Sequence, residues 1–353
     1  MKEEIINTLK ELLKFKTQKE KKQEFDKLFN YIKEKYKDLY ISEYEFNKNK
    51  SLVLSNTNDK NLDIIFCTHI DVVYAENYNY KEDNINIYGR GTIDMKGSVA
   101  VCLNILKNIK TSNKIALFIT SDEEIDGSCA YELSKIYNSK ICIVPDGGSN
   151  FDLIIEEKGL IQLKLTSKTQ SAHSSQLFNG ENAITKLMDV YSKIIKKYPN
   201  PKSSKEYKTS INLSKLNGGL ENNQVPNFAT MVLDIRNVIK DSQEDIINFI
   251  KNIDKDVSVE IIMIGNNFKS DINNSLIKKY IACSEKVLKR KIKQIGCEST
   301  SDAIFFQSKG IPTVIMNPKG YYAHSNKEYV NKNSLLKLYK IYKKFIEEYA
   351  YDK

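Results

Sequence analysis

The chain has 353 residues, 41% hydrophobic and 28% charged, enough to bury a large core and divide into two domains. It holds no apolar run near the ~18–20 residues that span a bilayer, so no membrane-spanning helix is expected. The net charge of +9 comes from lysines interleaved with Asp and Glu, without an arginine-rich cluster, and does not indicate nucleic-acid binding.

The N-terminus carries acids and no apolar signal core, so a cytoplasmic protein is expected. Apolar spacing predicts an amphipathic helix over 1–15 (Ile5, Ile6, Leu9, Leu12, Leu13) and a second through Phe25, Leu28, Tyr31 and Ile32. Strands are predicted at 51–55 and 62–68, the second apolar enough to be a buried central strand ending at His69. Residues 74–88 read as a loop with a short strand near its end. Then Gly89-Arg90-Gly91-Thr92-Ile93-Asp94-Met95-Lys96-Gly97 forms a glycine-flanked turn, which delivers one carboxylate just before an apolar helical run over 99–106. Strand 114–120, helix 130–137 and strand 140–144 follow. The alternation argues for an α/β layered domain. Each acidic or histidine motif falls just past a strand end, where open α/β sheets place their sites.

A second unit begins near Gly159: strand 159–167, helix 181–197, strands 208–215 and 229–237, helix 244–253 and strand 257–264. This β-α-β-β-α-β order is the split ferredoxin-like pattern. From about residue 268 the earlier style returns, with helix 275–288, strand 292–296, helix 302–309, strand 313–316 and a helix from 334. The expected organisation is a discontinuous domain, 1–158 and 268–353, with 159–267 inserted into it.

Six cysteines lack paired C-x-x-C spacing, and most lie in apolar runs. They read as buried free thiols in a reducing compartment. Three histidines (His69, His173, His324) and three arginines (Arg90, Arg236, Arg290) stand against 54 Lys and Arg together. The rare arginines are candidates for work that lysine cannot do, such as bidentate clamping of a carboxylate.

The candidate chemistry centres on Asp94, read as lying between two metal ions. In His69-Ile70-Asp71 the outer residues share a strand face, so Asp71 can bond one ring nitrogen of His69 and aim the other at a metal. Glu123 and Glu124 leave a strand in different directions, so one can bind metal while the other acts as a base; the bland alternative is capping of the helix after Gly127. Asp146 lies in a Val144-Pro145-Asp146-Gly147-Gly148 turn. His173 has no neighbouring acids and is not read as a ligand. Mixed His and carboxylate donors suit zinc, with cobalt or manganese possible.

Taken together the motifs resemble the zinc-dependent aminoacylase and carboxypeptidase-G-like metallopeptidases, including acetylornithine deacetylase and succinyl-diaminopimelate desuccinylase. The resemblance rests on His69-x-Asp71, the Gly89–Gly97 turn, Asp122-Glu123-Glu124, Ser171-Ala172-His173-Ser174, Asn223-x-x-Pro226, Asp234-x-Arg236, Ser301-Asp302-Ala303 and His324-x-x-x-Glu328-Tyr329-Val330. It implies a zinc-peptidase-like α/β catalytic domain with a central mixed sheet, an inserted ferredoxin-like lid and dimerisation domain, and a homodimer. It further implies that Asp94 bridges two metals, that His69 and Asp146 complete one, and that Glu124 and His324 complete the other. Glu123 would be the general base acting on a bridging water, with Asp71 orienting His69. His173 would stabilise the oxyanion in the partner's site, Asn223 would assist, and Arg236 would clamp a substrate carboxylate. A cis peptide at Asp94–Met95 is also implied.

The expected activity is hydrolysis of a small N-acyl amino acid, as in the amino-acid biosynthetic deacylases. The alternative is a dipeptidase or aminopeptidase, because Asp146 stands where the deacetylase and desuccinylase usually have Glu. A third reading, an inactive binding relative, has every catalytic position against it. Arg90 reads as structural, with Arg236–Asp234 pairing as the structural alternative for Arg236.

Overall fold

The computed structural model describes residues 1–203 and 205–350. It divides into two compact units, one of residues 1–155, 269–295 and 301–353, the other of residues 156–268 and 296–300. The first is an α/β unit built on a nine-stranded mixed sheet. Its strands run in the order Tyr40–Phe46, Asn49–Ser55, Ile115–Thr120, Asn61–His69, Asn138–Val144, Thr313–Ile315, Leu153–Glu157 and Phe268–Lys269, and Gln294–Cys297 also pairs with Leu153–Glu157.

The centre of this sheet is parallel. Asn61–His69 pairs in parallel with Ile115–Thr120 and with Asn138–Val144, which in turn pairs in parallel with Thr313–Ile315. Ile115–Thr120 is buried throughout, as expected of a strand covered on both faces. Side chains alternate between two layers. Ile64, Phe66, Leu117 and Ile143 join a core with the apolar faces of helices Lys2–Leu13, Gly97–Asn108, Ser275–Leu288 and Lys332–Ala350. On the opposite face Phe118 packs against Tyr137 and Phe306.

Among the strands of more than three residues, two have no counterpart in the sequence reading. Tyr40–Phe46 is an edge strand with no buried residue, so it has no apolar run to reveal it. Its hairpin to Asn49–Ser55 turns on Asn47 and Lys48, both at positive φ, as a two-residue hairpin turn requires. Leu153–Glu157 is short and its last residues lie at the unit boundary.

A small antiparallel sheet orders Gly320–Tyr321, Tyr329–Asn331, Asn86–Tyr88 and Lys81–Glu82. It stitches the late segment 320–331 to the strand just before the Asp94 turn.

The second unit holds a four-stranded antiparallel sheet in the order Ser210–Gly218, Phe228–Asn237, Gly159–Lys168 and Val257–Gly265. Helices Ala183–Lys197 and Gln243–Lys251 cover one face, burying Leu187, Val190, Ile246 and Ile250 against Ile161, Leu163, Met231 and Leu233. Asn182 caps the first helix by accepting from Ile184 N and Thr185 N, and Ser242 caps the second through Asp245 N. The outer strand Val257–Gly265 leaves Ile261, Ile262, Met263 and Ile264 exposed. Residues 296–300 belong to this unit: Cys297 O accepts from Lys158 N at 3.2 Å, and Glu298 pairs with the buried Lys158 ammonium. None of the described helices is long and apolar enough to cross a membrane.

Candidate metal centre

The parallel register explains how distant residues meet. His69 is opposite Thr120 in the neighbouring strand, so the chain leaving Thr120 brings Glu123 and Glu124 to the edge where His69 sits. Asn138–Val144 runs the same way and delivers Asp146 to that edge. The turn Thr92–Lys96 carries Asp94, and His324 lies between strands Gly320–Tyr321 and Tyr329–Asn331 of the small sheet.

Asp94 is the hub. Its Oδ1 lies 3.0 Å from His69 Nε2 and its Oδ2 lies 3.0 Å from His324 Nε2. His324 Nε2 is also 3.0 Å from Glu124 Oε1, and His69 Nε2 is 3.9 Å from Asp146 Oδ2. Two three-residue groups result, His69–Asp94–Asp146 and Asp94–Glu124–His324, each with its ligand atoms within 4.8 Å of one another. The Asp94–Met95 peptide is cis.

The surroundings fix these side chains. Asp71 Oδ1 lies 3.3 Å from His69 Nδ1, which is also 3.1 Å from the Asp71 carbonyl. Asp71 Oδ2 accepts from Glu124 N at 2.9 Å, so one buried acid holds a residue of each group. Asp122 caps the helix Ser128–Ile136, accepting from Cys129 N at 3.0 Å and Ser128 Oγ at 2.6 Å. Capping thus falls to Asp122 and leaves Glu123 and Glu124 free of it. Gly127, at φ 64, lets the chain pass Asp302, whose Oδ1 would lie 2.7 Å from a Cβ there.

Electrostatics bind the cluster together. Burial acts to raise Asp94, but hydrogen bonds from His324 and His69 outweigh it and hold its carboxyl well below the usual range. Burial opposes charge on His69, but hydrogen bonds to Asp71 and Asp94 lift it well above an ordinary histidine. Hydrogen bonds to Asp94 and Glu124 raise His324 to about 10. Burial, then the Asp94 charge, pushes Asp146 up to about 7. Burial also raises Glu123 well above an ordinary carboxylate; His69 opposes this, while Asp146, Asp302 and Asp94 add to it.

The residues fit divalent cations. Six carboxylates (Asp71, Asp94, Glu123, Glu124, Asp146, Asp302) crowd around two imidazoles. Such an excess of buried negative charge calls for cationic compensation. The donors are oxygen and imidazole nitrogen, as borderline divalent ions prefer. A cavity of about 380 Å³ adjoins the centre, lined by Lys19, Glu20, Asp71, Tyr74, Glu124 and Ile125 among others.

His173, Asn223 and Arg236 belong to the second unit. His173 is exposed, its Nδ1 2.8 Å from Ser175 Oγ. Ser174 N donates to the Asn223 carbonyl at 2.9 Å, so the His173 and Asn223 loops lie side by side. Arg236 Nε donates to Asp234 Oδ1 at 2.9 Å, with its side chain 38% exposed. Three further charged groups are buried, Asp302, Glu328 and Arg90. Sequence assigns no site role to Asp302 or Glu328 and reads Arg90 as structural. The signal for Glu328 was its spacing of four from His324.

The model of peptidase family M20/M25/M40 matches residues 65–348, and the chain belongs to that family. It is 27% identical to an uncharacterized metallohydrolase of Methanocaldococcus jannaschii, over 78% of this chain and 79% of the relative. It is 28% identical to a LysW-lysine/LysW-ornithine hydrolase of Saccharolobus islandicus, over 81% of each. Its fold matches the crystal structure of aminopeptidase PepT from Bacillus cereus with a TM-score of 0.78 at 21% identity, covering 99% of this chain and 98% of that one. The chain is therefore a metal-dependent hydrolase of amides or peptides, in agreement with the resemblance read from its motifs.

Proposed function

We propose that the chain hydrolyses the amide bond of a small N-acyl amino acid, with one divalent cation held by His69, Asp94 and Asp146 and another by Asp94, Glu124 and His324. Zinc is the proposed metal, with cobalt or manganese as substitutes. One observation carries this reading: Asp94 turns its two carboxylate oxygens to different histidines, each at 3.0 Å. Cations at these positions would polarise the scissile carbonyl and lower the pKa of a shared water.

The chain's own residues do the rest. Glu123, whose basicity is raised by burial, accepts in its ionised form a proton from the attacking water and delivers it to the leaving nitrogen. Asp71 keeps His69 oriented. His173 donates to the tetrahedral oxyanion in the partner subunit's site, Asn223 assists there, and Arg236 clamps the substrate carboxylate. Support for a homodimer comes from the outer strand Val257–Gly265, whose exposed Ile261–Ile264 run is an edge that invites pairing. Five buried free cysteines support a reducing, cytoplasmic setting.

The deciding assay is amine release from a panel of acyl-amino acids, including acyl-lysine and acyl-ornithine, and free dipeptides, each with zinc or chelator. The Saccharolobus relative's name supports lysine and ornithine amides as first choices. Chelator-sensitive cleavage of one acyl-amino acid is the expected result. Cleavage of free dipeptides alone would move the chain to the peptidase reading, which Asp146 favours.

A further inference from the structure

We propose that Glu328, clamped by Arg90, is a positioning residue that sets the Asp94 turn so that its carboxylate can face both cation positions. The proposal rests on the two-cation reading above. Glu328 is 1% exposed. Its Oε1 accepts from Ile93 N at 3.0 Å and from Asp94 N at 3.3 Å, and its Oε2 accepts from Arg90 Nη1 at 2.8 Å. Arg90 is itself anchored, donating through Nη2 to the Tyr74 carbonyl at 3.2 Å. The Glu328 carbonyl accepts from Gly89 N at 2.9 Å, at the start of the same turn.

The segment 324–328 therefore grips Asp94 at both ends. His324 meets its carboxylate and Glu328 meets its backbone amide. Asp71 does the equivalent work elsewhere in the centre: its carbonyl bonds the His69 ring, its Oδ1 faces the same nitrogen at 3.3 Å, and its Oδ2 accepts from the Glu124 amide. Together the two buried acids tie every position except Asp146 and His324 to a fixed partner.

The chemistry of the contact explains why a carboxylate is required. Two amide N–H groups converge on one oxygen while a guanidinium faces the other. A neutral amide of the same size has one acceptor and one donor, so its NH2 must face either Arg90 or the turn amides. A buried donor facing a donor is costly, and the turn must shift to escape it. Residues that orient metal ligands typically change affinity by about 10–100-fold when lost.

The test compares wild type and Glu328→Gln after chelator treatment, titrating zinc by calorimetry and measuring thermal midpoint and turnover. For Glu328→Gln, cation affinity should fall about 10–100-fold. Its kcat should fall with KM within about twofold, and the midpoint of the metal-free protein should stay close to wild type. Wild-type zinc affinity in a folded variant would overturn the proposal. So would an affinity loss matched by an equal loss of metal-free stability, which a merely structural contact would produce. If Glu328→Gln does not fold, Arg90→Lys replaces it. Weakened zinc binding in that variant supports the proposal, and unchanged binding overturns it. A wild-type chain that binds fewer than two ions defeats the two-cation reading itself and this proposal with it.

Discussion

The two units hold their candidate residues in opposite ways. In the first, buried neighbours hold three of the proposed ligands: His69 by Asp71, the Glu124 amide by Asp71, and Asp94 by both histidines and Glu328. In the second, the His173 ring bonds Ser175 of its own loop, Asn223 is exposed, and Arg236 bonds an acid two residues away. A preorganised cluster suits cations, whose binding tolerates little rearrangement of the ligands. Exposed, locally held groups suit a substrate or subunit that arrives later. The difference gives a testable division of labour. Variants of the first unit's proposed ligands and of the buried acids that hold them should change metal loading, whereas second-unit variants should change turnover and leave metal loading alone.

Asp94→Asn should have the largest effect. It removes the one carboxylate shared by both groups, so both cations should bind weakly and turnover should fall by about 10⁴-fold or more. Zinc at a hundredfold excess over its Kd should stabilise the wild type by about 2.7 kcal/mol per site, and this shift should vanish in the variant. Two tightly bound ions in Asp94→Asn, measured by calorimetry, would break the comparison at its centre.

Glu123→Gln should come next and sharpens the division within the first unit. Turnover should fall about 10³-fold, within the range for a lost general base, while two ions still bind. Near-normal turnover would remove Glu123 from the base role and leave the ligand set untouched.

The first unit's site was largely legible in sequence because its motifs sit at the ends of buried parallel strands. An apolar run ending in His69 or leading to Glu123 announces both the strand and the site. The exposed strand Tyr40–Phe46 has no such run and stayed hidden. The cap inside Asp122-Glu123-Glu124 was not legible either. Sequence weighed helix capping by the glutamates as the alternative to base and ligand roles, whereas Asp122 supplies the cap through Ser128 Oγ and Cys129 N. Arg90 read as structural and is ion-paired with Glu328 at 2.8 Å, but spacing alone could not show that the pair meets the Asp94 turn. Helix boundaries shifted where a cap decided them: Asn182 starts the helix at Ala183 rather than at 181.

His173→Asn tests the second unit. Turnover should fall about 10²-fold, as for one lost oxyanion donor, with two ions bound as in wild type. Mixing this variant with Glu123→Gln tests action across subunits. In a two-fold dimer with random exchange, about a quarter of wild-type turnover should return, because half the molecules are mixed and each holds one complete site. No recovery after verified subunit exchange would place His173 in its own subunit's chemistry or outside it.

Arg236→Lys carries the smallest expected effect and the finest distinction. Arg236 spends its Nε on Asp234 and leaves its side chain 38% exposed, so the same residue fits a structural pair and a substrate clamp. Lysine keeps the charge and can keep the Asp234 pair, but it loses the planar fork that matches a carboxylate. If the arginine clamps substrate, KM should rise about tenfold, the equivalent of ~1.4 kcal/mol, with little change in kcat or thermal midpoint. An ester or amide of the same substrate, lacking the free carboxylate, should then lose its discrimination between wild type and variant. If the arginine is structural, both substrates should respond alike. An exposed pair of this kind is worth only about 0–1 kcal/mol, too little to mimic a substrate-dependent tenfold change, so the paired substrates separate the two roles.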